Sequence, residues 1–453
     1  MLVSVFMLTS CGIVTKTYKQ PSQEITDSVY RNVLTDSATI ADLPWQEMFS
    51  DPILQKIIQE GLNQNLDLKS AMEKMNEAKA TLTQGQLSLL PTANGFAEVT
   101  KNKLSQQATQ SSILNSTNWE AGLSASWELD VWGKLNSSRK AALANFLKSD
   151  AARRVVQTEL IATIANTYYS LIAMDEKLAI TLETVKNRAE EVKTMKTLKE
   201  SAVLNGAAVV QSQANLYSVQ ISIPDLQQSI RETENALCIL LGRAPGSIER
   251  GSLAQQFSLS NIKAGVPSQL LKNRPDVQEA ELALRAAFEN TNVAKASFYP
   301  SLIINGNGGF SANNFSDFFD HSLFYTLVGG LTQPIFNNGK NQANLKIAKA
   351  QQQEAFYNFK KSVLSAGEEV SNALYTYQMA VEKETIRTKQ LEALEKSVDF
   401  TNELLRYSSA TNYTDVLTSE QSLLSAQLAS TNDKLQKLQA VVDLYKALGG
   451  GWK

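Results

Sequence analysis

Two cysteines and one histidine, Cys11, Cys238 and His321, are the only residues of those types in 453. They stand too far apart for a disulfide framework or for the paired spacings of a structural zinc site. Cys238 lies in the apolar run Ala236-Leu237-Cys238-Ile239-Leu240-Leu241, where a thiol reads as small, buried and inert. His321, between Asp320 and Ser322 in a predicted loop, is the one candidate imidazole base, and no nucleophile or orienting acid completes a set around it. The residues therefore point to no enzyme activity, no metal and no cofactor. The 43 Lys and Arg against 45 Asp and Glu leave a formal charge of −2. That balance removes the basic excess that nucleic-acid binding requires.

The elements that must carry any function are visible in what is missing. None of the ten prolines falls in residues 92–223 or 335–453, glycine is absent from 134–205, and only Gly367 interrupts 340–448. Proline costs a helix interior roughly 3 kcal/mol and glycine about 1 kcal/mol, so these tracts read as very long helices. The chain is also written twice: Pro91 and Pro300 stand 209 apart, Gly133-Lys134 and Gly339-Lys340 stand 206 apart, and Leu241-Gly242 and Leu448-Gly449 stand 207 apart. The reading is two copies of one unit, 51–242 and 269–449, joined by a linker at 243–268 and preceded by a polar leader over 11–50.

Each copy begins with a helix that stops at a proline, continues through strands and ends in a long helical hairpin. In residues 117–131, Trp119, Ala121, Leu123, Ala125, Trp127, Leu129 and Val131 alternate with polar or small residues, which predicts a strand with one apolar face. The other strands are expected at about 93–106, 301–312 and 323–336, and the hairpins at 134–242 and 340–448. At 1.5 Å per residue, a helix of about 70 residues is roughly 100 Å long. Leu171, Leu178, Val185 and Val192 recur every seven residues, as a coiled-coil seam or ordinary bundle packing would have them. Pro224 has no proline at its counterpart, Thr431, which predicts a break in the first returning helix alone. The hairpin tips are expected at Val203, Leu204, Asn205 and Gly206, and at Ser408, Ser409, Ala410, Thr411 and Asn412. The fold class is mainly α with long coiled-coil helices and four strands per chain.

Residues 1–10 are apolar and lead into Leu8-Thr9-Ser10-Cys11, a segment too short to span a bilayer. It resembles the signal segment and lipobox of bacterial lipoproteins, which implies acylation (palmitate) at Cys11 and a lipid anchor worth about 0.8 kcal/mol per buried methylene.

Strands set between very long helices, twice over, with Ser126-Trp127-Glu128-Leu129-Asp130-Val131-Trp132-Gly133-Lys134, Gln333-Pro334-Ile335-Phe336-Asn337-Asn338-Gly339-Lys340, Asn273-Arg274-Pro275-Asp276-Val277 and Phe298-Tyr299-Pro300-Ser301-Leu302, resemble the TolC-like outer membrane efflux protein family in its lipoprotein branch. The resemblance implies a homotrimer whose protomers give four strands each to one twelve-stranded transmembrane β-barrel, with a helical tunnel into the periplasm of a Gram-negative bacterium. It implies a passive drug and small-molecule export duct that works with a periplasmic adaptor at the hairpin tips and an inner-membrane pump of the RND type. It assigns Tyr407 and Asp415 to the periplasmic gate, with Thr418 and Asn412 departing from the family pattern. Trp119, Trp127, Trp132 and Tyr325 become the expected aromatics of the lipid interfaces. The rival readings are a duct for type I protein secretion and a soluble coiled-coil scaffold.

Overall fold

The structure is a computed structural model, and it describes residues 14–21, 39–103, 115–202, 205–256, 269–407 and 413–453. The chain forms two compact units. The first takes Met1–Pro21, Lys74–Asp150 and Glu279–Lys360, and the second Ser22–Glu73, Ala151–Gln278 and Lys361–Lys453. In chain order the elements are α1 (Trp45–Met48), α2 (Pro52–Gln64), α3 (Leu66–Leu87), β1 (Thr92–Lys103), β2 (Asn115–Leu129), α4 (Lys134–Glu200), α5 (Gly206–Gln220), α6 (Ser222–Leu240), α7 (Leu270–Asn273), α8 (Pro275–Ala296), β3 (Ser301–Ala312), β4 (Leu323–Thr332), α9 (Lys340–Tyr407) and α10 (Tyr413–Ala447).

In the first unit the four strands form one antiparallel sheet in the order β1-β2-β3-β4. β2 ends at Leu129, two residues short of the predicted 131, because Asp130 turns to cap α4: its carboxylate accepts from Leu135 N at 2.9 Å and Asn136 N at 2.7 Å. β4 stops at Thr332 rather than 336, since Pro334 has no N–H for a ladder. The predicted first strand, 93–106, runs past Lys103 into residues outside the described set.

Two strands approach very closely at the centre of this sheet. Gly122 and Gly309 are register partners, and a Cβ built on Gly309 would stand 2.2 Å from the Ala121 carbonyl oxygen. The chain has glycine there because the backbones leave no room for a side chain.

The second unit is helical. Its packing centres on Leu54 and Ile58 of α2, Ile161, Ile164, Leu171 and Ile172 of α4, and Leu237 of α6, all buried. Asp51 caps α2 by accepting from Ile53 N at 2.8 Å, and its other oxygen accepts from the Tyr168 hydroxyl at 2.6 Å. The repeat appears in the helix stops: Gly242 and Gly449 both take left-handed φ, +66° and +86°, with backbone carbonyls of Gln64 and Asn273 against them. α4 and α9 contain 67 and 68 residues, about 100 Å each. α5 and α6 are separated at Ile221, where Pro224 cannot donate to the Gln220 carbonyl, whereas α10 runs unbroken through Thr431.

Candidate functional site

The sheet carries two chemically distinct faces. The register aligns Leu123 with Gly95 and Gly308, Trp127 with Ile304, Leu302 with Leu331, and Gly306 with Leu327, so one face is built from apolar and small residues. Leu123, Leu327 and Leu331 are each about 70% exposed, far more than a protein core leaves open. The opposite face holds Asn94, Glu98, Glu120, Ser124, Ser126, Asn305 and Asn307, interrupted by Phe96, Ile303, Phe324 and Val328. Hydrogen bonds knit it together: Ser126 Oγ donates to Asn305 Oδ1 at 2.7 Å, and Ser311 Oγ to Asn118 Oδ1 at 3.1 Å.

The aromatics of interest stand at different heights along the strands. Trp127 Nε1 donates to the Leu89 carbonyl at 2.9 Å. Trp132 donates to the Pro300 carbonyl at 2.7 Å and stacks on Tyr299 at 5.0 Å, so both mark the helix end of the sheet. Trp119 lies at the far end, edge-on to Phe315 at 5.1 Å. Eight residues separate Trp119 from Trp127, about 27 Å along a strand and about 21 Å of depth at a tilt of roughly 40°, close to the roughly 25 Å apolar band of outer-membrane barrels. Tyr325 pairs with Gly308, which pairs with Leu123, so in the strand register it falls between the rows of Trp119 and Trp127. The residues missed from sequence are Phe310, Phe315, Phe318 and Phe319, whose rings cluster beside Trp119. The signal was present as the string Phe315-Ser316-Asp317-Phe318-Phe319 between two strands.

At the hairpin tips of the second unit, Asn205 caps α5, its Oδ1 accepting from Ala208 N at 3.2 Å, and Gly206 is the first helical residue. Val203, Leu204, Ser408, Ser409, Ala410, Thr411 and Asn412 lie outside the described residues, as does Cys11. Tyr407 is the last residue of α9, and its side chain lies outside the description too. Asp415 is exposed in the first turn of α10, where a carboxylate also favours the positive end of the helix dipole. Thr418 bonds to its own helix, donating to the Thr414 carbonyl at 2.9 Å. Tyr413 packs with Met195, Val209 and Leu417.

Cys238 is buried, with its thiol donating to the Gly246 carbonyl at 3.4 Å, and His321 is exposed in the β3–β4 loop. Among the described residues no group of three or more His, Cys, Asp or Glu could hold a metal ion, and no helix is long and apolar enough to cross a membrane.

The outer membrane efflux protein family matches residues 57–243 and 266–450. The chain belongs to that family. This efflux protein is 30% identical to the probable outer membrane lipoprotein SilC of Salmonella typhimurium, over 99% of its own length and 97% of SilC. It is 31% identical to the pyoverdine export outer membrane protein OpmQ of Pseudomonas putida, over 91% of its own length and 89% of OpmQ. Its fold superposes on the open state of the Neisseria gonorrhoeae MtrE outer membrane channel with a TM-score of 0.87 at 28% identity, covering 97% of this chain and 98% of that one. The efflux protein is accordingly an outer-membrane protein of export, mainly helical, with two structural repeats and a four-stranded sheet.

Proposed function

We propose that three copies of this efflux protein close one twelve-stranded barrel and form a passive duct that carries small molecules such as drugs out across the periplasm and the outer membrane. The observation that carries this is the sheet: an exposed apolar face, a polar face behind it, and edges at β1 and β4 that pair on one side only. A bilayer tolerates strands only in closed barrels, and four strands are too few to close around a pore. Three protomers supply twelve, with apolar residues toward lipid and Glu98, Glu120 and Asn307 toward a wet lumen.

The duct works without an enzyme's chemistry, taking cargo from an inner-membrane pump of the RND type through a periplasmic adaptor. The adaptor meets the tips around residues 203–206 and 408–412, and Tyr407 and Asp415 hold the tunnel's closed end. A lipid on Cys11 anchors the chain. Supporting that anchor, Thr15 lies against Gly133 at the sheet-to-helix junction, and Asn292 grips the Lys16 backbone, accepting from its N at 3.3 Å and donating to its O at 2.9 Å.

The test is expression of the full chain with labelled palmitate, followed by fractionation. The expected result is label in the outer-membrane fraction, on a trimer that dissociates only on heating, and loss of the label in Cys11→Ser. A chain that stays monomeric and soluble without detergent overturns the reading.

A further inference from the structure

Toward the tips of the second unit, three helices meet on buried charge. Arg188 of α4 is only 3% exposed; its Nη1 donates to the Asn215 carbonyl of α5 and its Nη2 to Gln421 Oε1 of α10, both at 3.0 Å. A single guanidinium thus ties both returning helices to α4. Glu191, one turn along α4, and Glu420 of α10 face the same place. The Tyr413 hydroxyl sits beside Ser212 and Glu191 in the same place, and Arg188 Nε is buried there. The titratable and charged groups facing Glu420 are Arg188 and Glu191 from α4 and Tyr413 from its own helix. α5 contributes the uncharged Ser212 and Asn215, and α9 meets α10 here through Thr401, whose hydroxyl pairs with that of Ser419 at 2.9 Å.

Charge counting shows what such a cluster does. One cation faces two carboxylates, so a single ionised carboxylate is balanced and a second is a partly buried, uncompensated negative charge. We infer that Arg188, Glu191 and Glu420 form a protonation-sensitive latch that holds α5 and α10 on α4 beside the hairpin tips, tight at mildly acidic pH and slack at alkaline pH. The latch rests on the duct reading only for its consequence in transport: Tyr413 opens α10 and Asp415 lies in that first turn, so slackening frees the segment assigned to the gate.

Burial, reinforced by the charge of Glu191, pushes Glu420 up to about 7 against the pull of Arg188. Burial raises Glu191 as well, against Tyr413 and Arg188. A carboxyl raised in the packed state holds its proton more tightly when packed than when exposed at its ordinary value near 4.3. Packing is therefore favoured as the pH falls through 7 and weakened as it rises. For Glu420 alone the packed-to-open ratio changes up to about tenfold between pH 8 and pH 6.

The experiment is amide hydrogen exchange over residues 413–421 of the full-length trimer in detergent at pH 6 and pH 8, each corrected by the intrinsic rate of an unstructured peptide. The wild type is expected to show several-fold greater protection at pH 6. Glu420→Gln, neutral at every pH, is expected to hold close to the acid level of protection at pH 8, with a much smaller slope than the wild type. Equal corrected protection of the wild type at both pH values overturns the latch, as does an unchanged slope in Glu420→Gln. If that variant does not fold, Glu191→Gln serves in its place and is expected to flatten the slope by removing the second carboxylate. Bilayer recordings of the same preparation separate the two readings. A preparation that forms no pores counts against the duct and leaves the exchange result standing, whereas pores with pH-independent exchange count against the latch alone.

Discussion

Replacing Gly309 with alanine tests the sheet at its tightest point. A Cβ there would stand 2.2 Å from the Ala121 carbonyl oxygen and 2.5 Å from Gly122 Cα, and both obstacles are backbone. Restoring an ordinary carbon-to-oxygen contact needs β2 and β3 to part by about 1 Å, which carries ladder bonds near 2.9 Å beyond hydrogen-bonding range. Two or three such bonds at roughly 1 kcal/mol each give about 2–3 kcal/mol per protomer, and more in lipid, where water cannot replace them. Every protomer of a trimer carries the defect. The assay is the fraction of heat-dissociable trimer recovered from outer membranes, with Gly329→Ala as control, because a Cβ at Gly329 of β4 meets nothing within 4 Å. Gly309→Ala is expected to lose most of its trimer and Gly329→Ala to match the wild type. Equal recovery of the two variants would refute the close-approach argument.

Other outcomes follow from individual residues. Asp433, 3% exposed, accepts from Arg387 at 2.7 Å and Lys383 at 3.0 Å on α9. Burial raises its carboxyl, but the two cations outweigh burial and leave it below the usual range, so its contribution is intact above about pH 4 and lost as the pH falls through the native value. Asp433→Ala is expected to cost about 2–3 kcal/mol, discounted from a fully buried pair because Lys383 is half exposed, and to lower exchange protection across α9 and α10. Gly449→Ala meets both a left-handed φ of +86° and the Asn273 carbonyl at 2.4 Å, so its melting temperature should fall by several degrees, while Gly246→Ala, with open space around it, should not shift. Asp415→Ala is expected to raise the cation conductance of the reconstituted pore, and an unchanged conductance removes Asp415 from the gate.

What the sequence reveals of this fold is what short-range physics writes into it. The alternation of Trp119 to Leu129 exposes a two-faced strand because side chains on a strand point alternately to either face. The breaker-free tracts expose α4 and α9, and Pro224 exposes the break at Ile221. Height along the sheet is different, since register depends on partners far away in the chain: nothing near Tyr325 says that Gly308 lies opposite. The end of β2 is hidden for a related reason, because Asp130 fits either the alternation or a helix cap and only the fold decides. The latch is the least legible feature. Arg188 and Glu191 look like a solvated helix face, and their partners at Glu420 and Gln421 lie more than 200 residues away. Arg188 also stands four residues before Val192 and seven before Met195, on the buried side of α4 where an apolar side chain would be expected.

Assembled with copies of itself, this chain is proposed to enclose a water-filled path across a membrane. Single-channel recording of the purified full-length protein in a planar lipid bilayer addresses it most directly. Discrete, long-lived conductance steps of uniform size are expected from the trimer, and they are expected to disappear after heating to monomers. A protein that associates with the bilayer yet gives no steps, at a density where a porin control inserts readily, would contradict it.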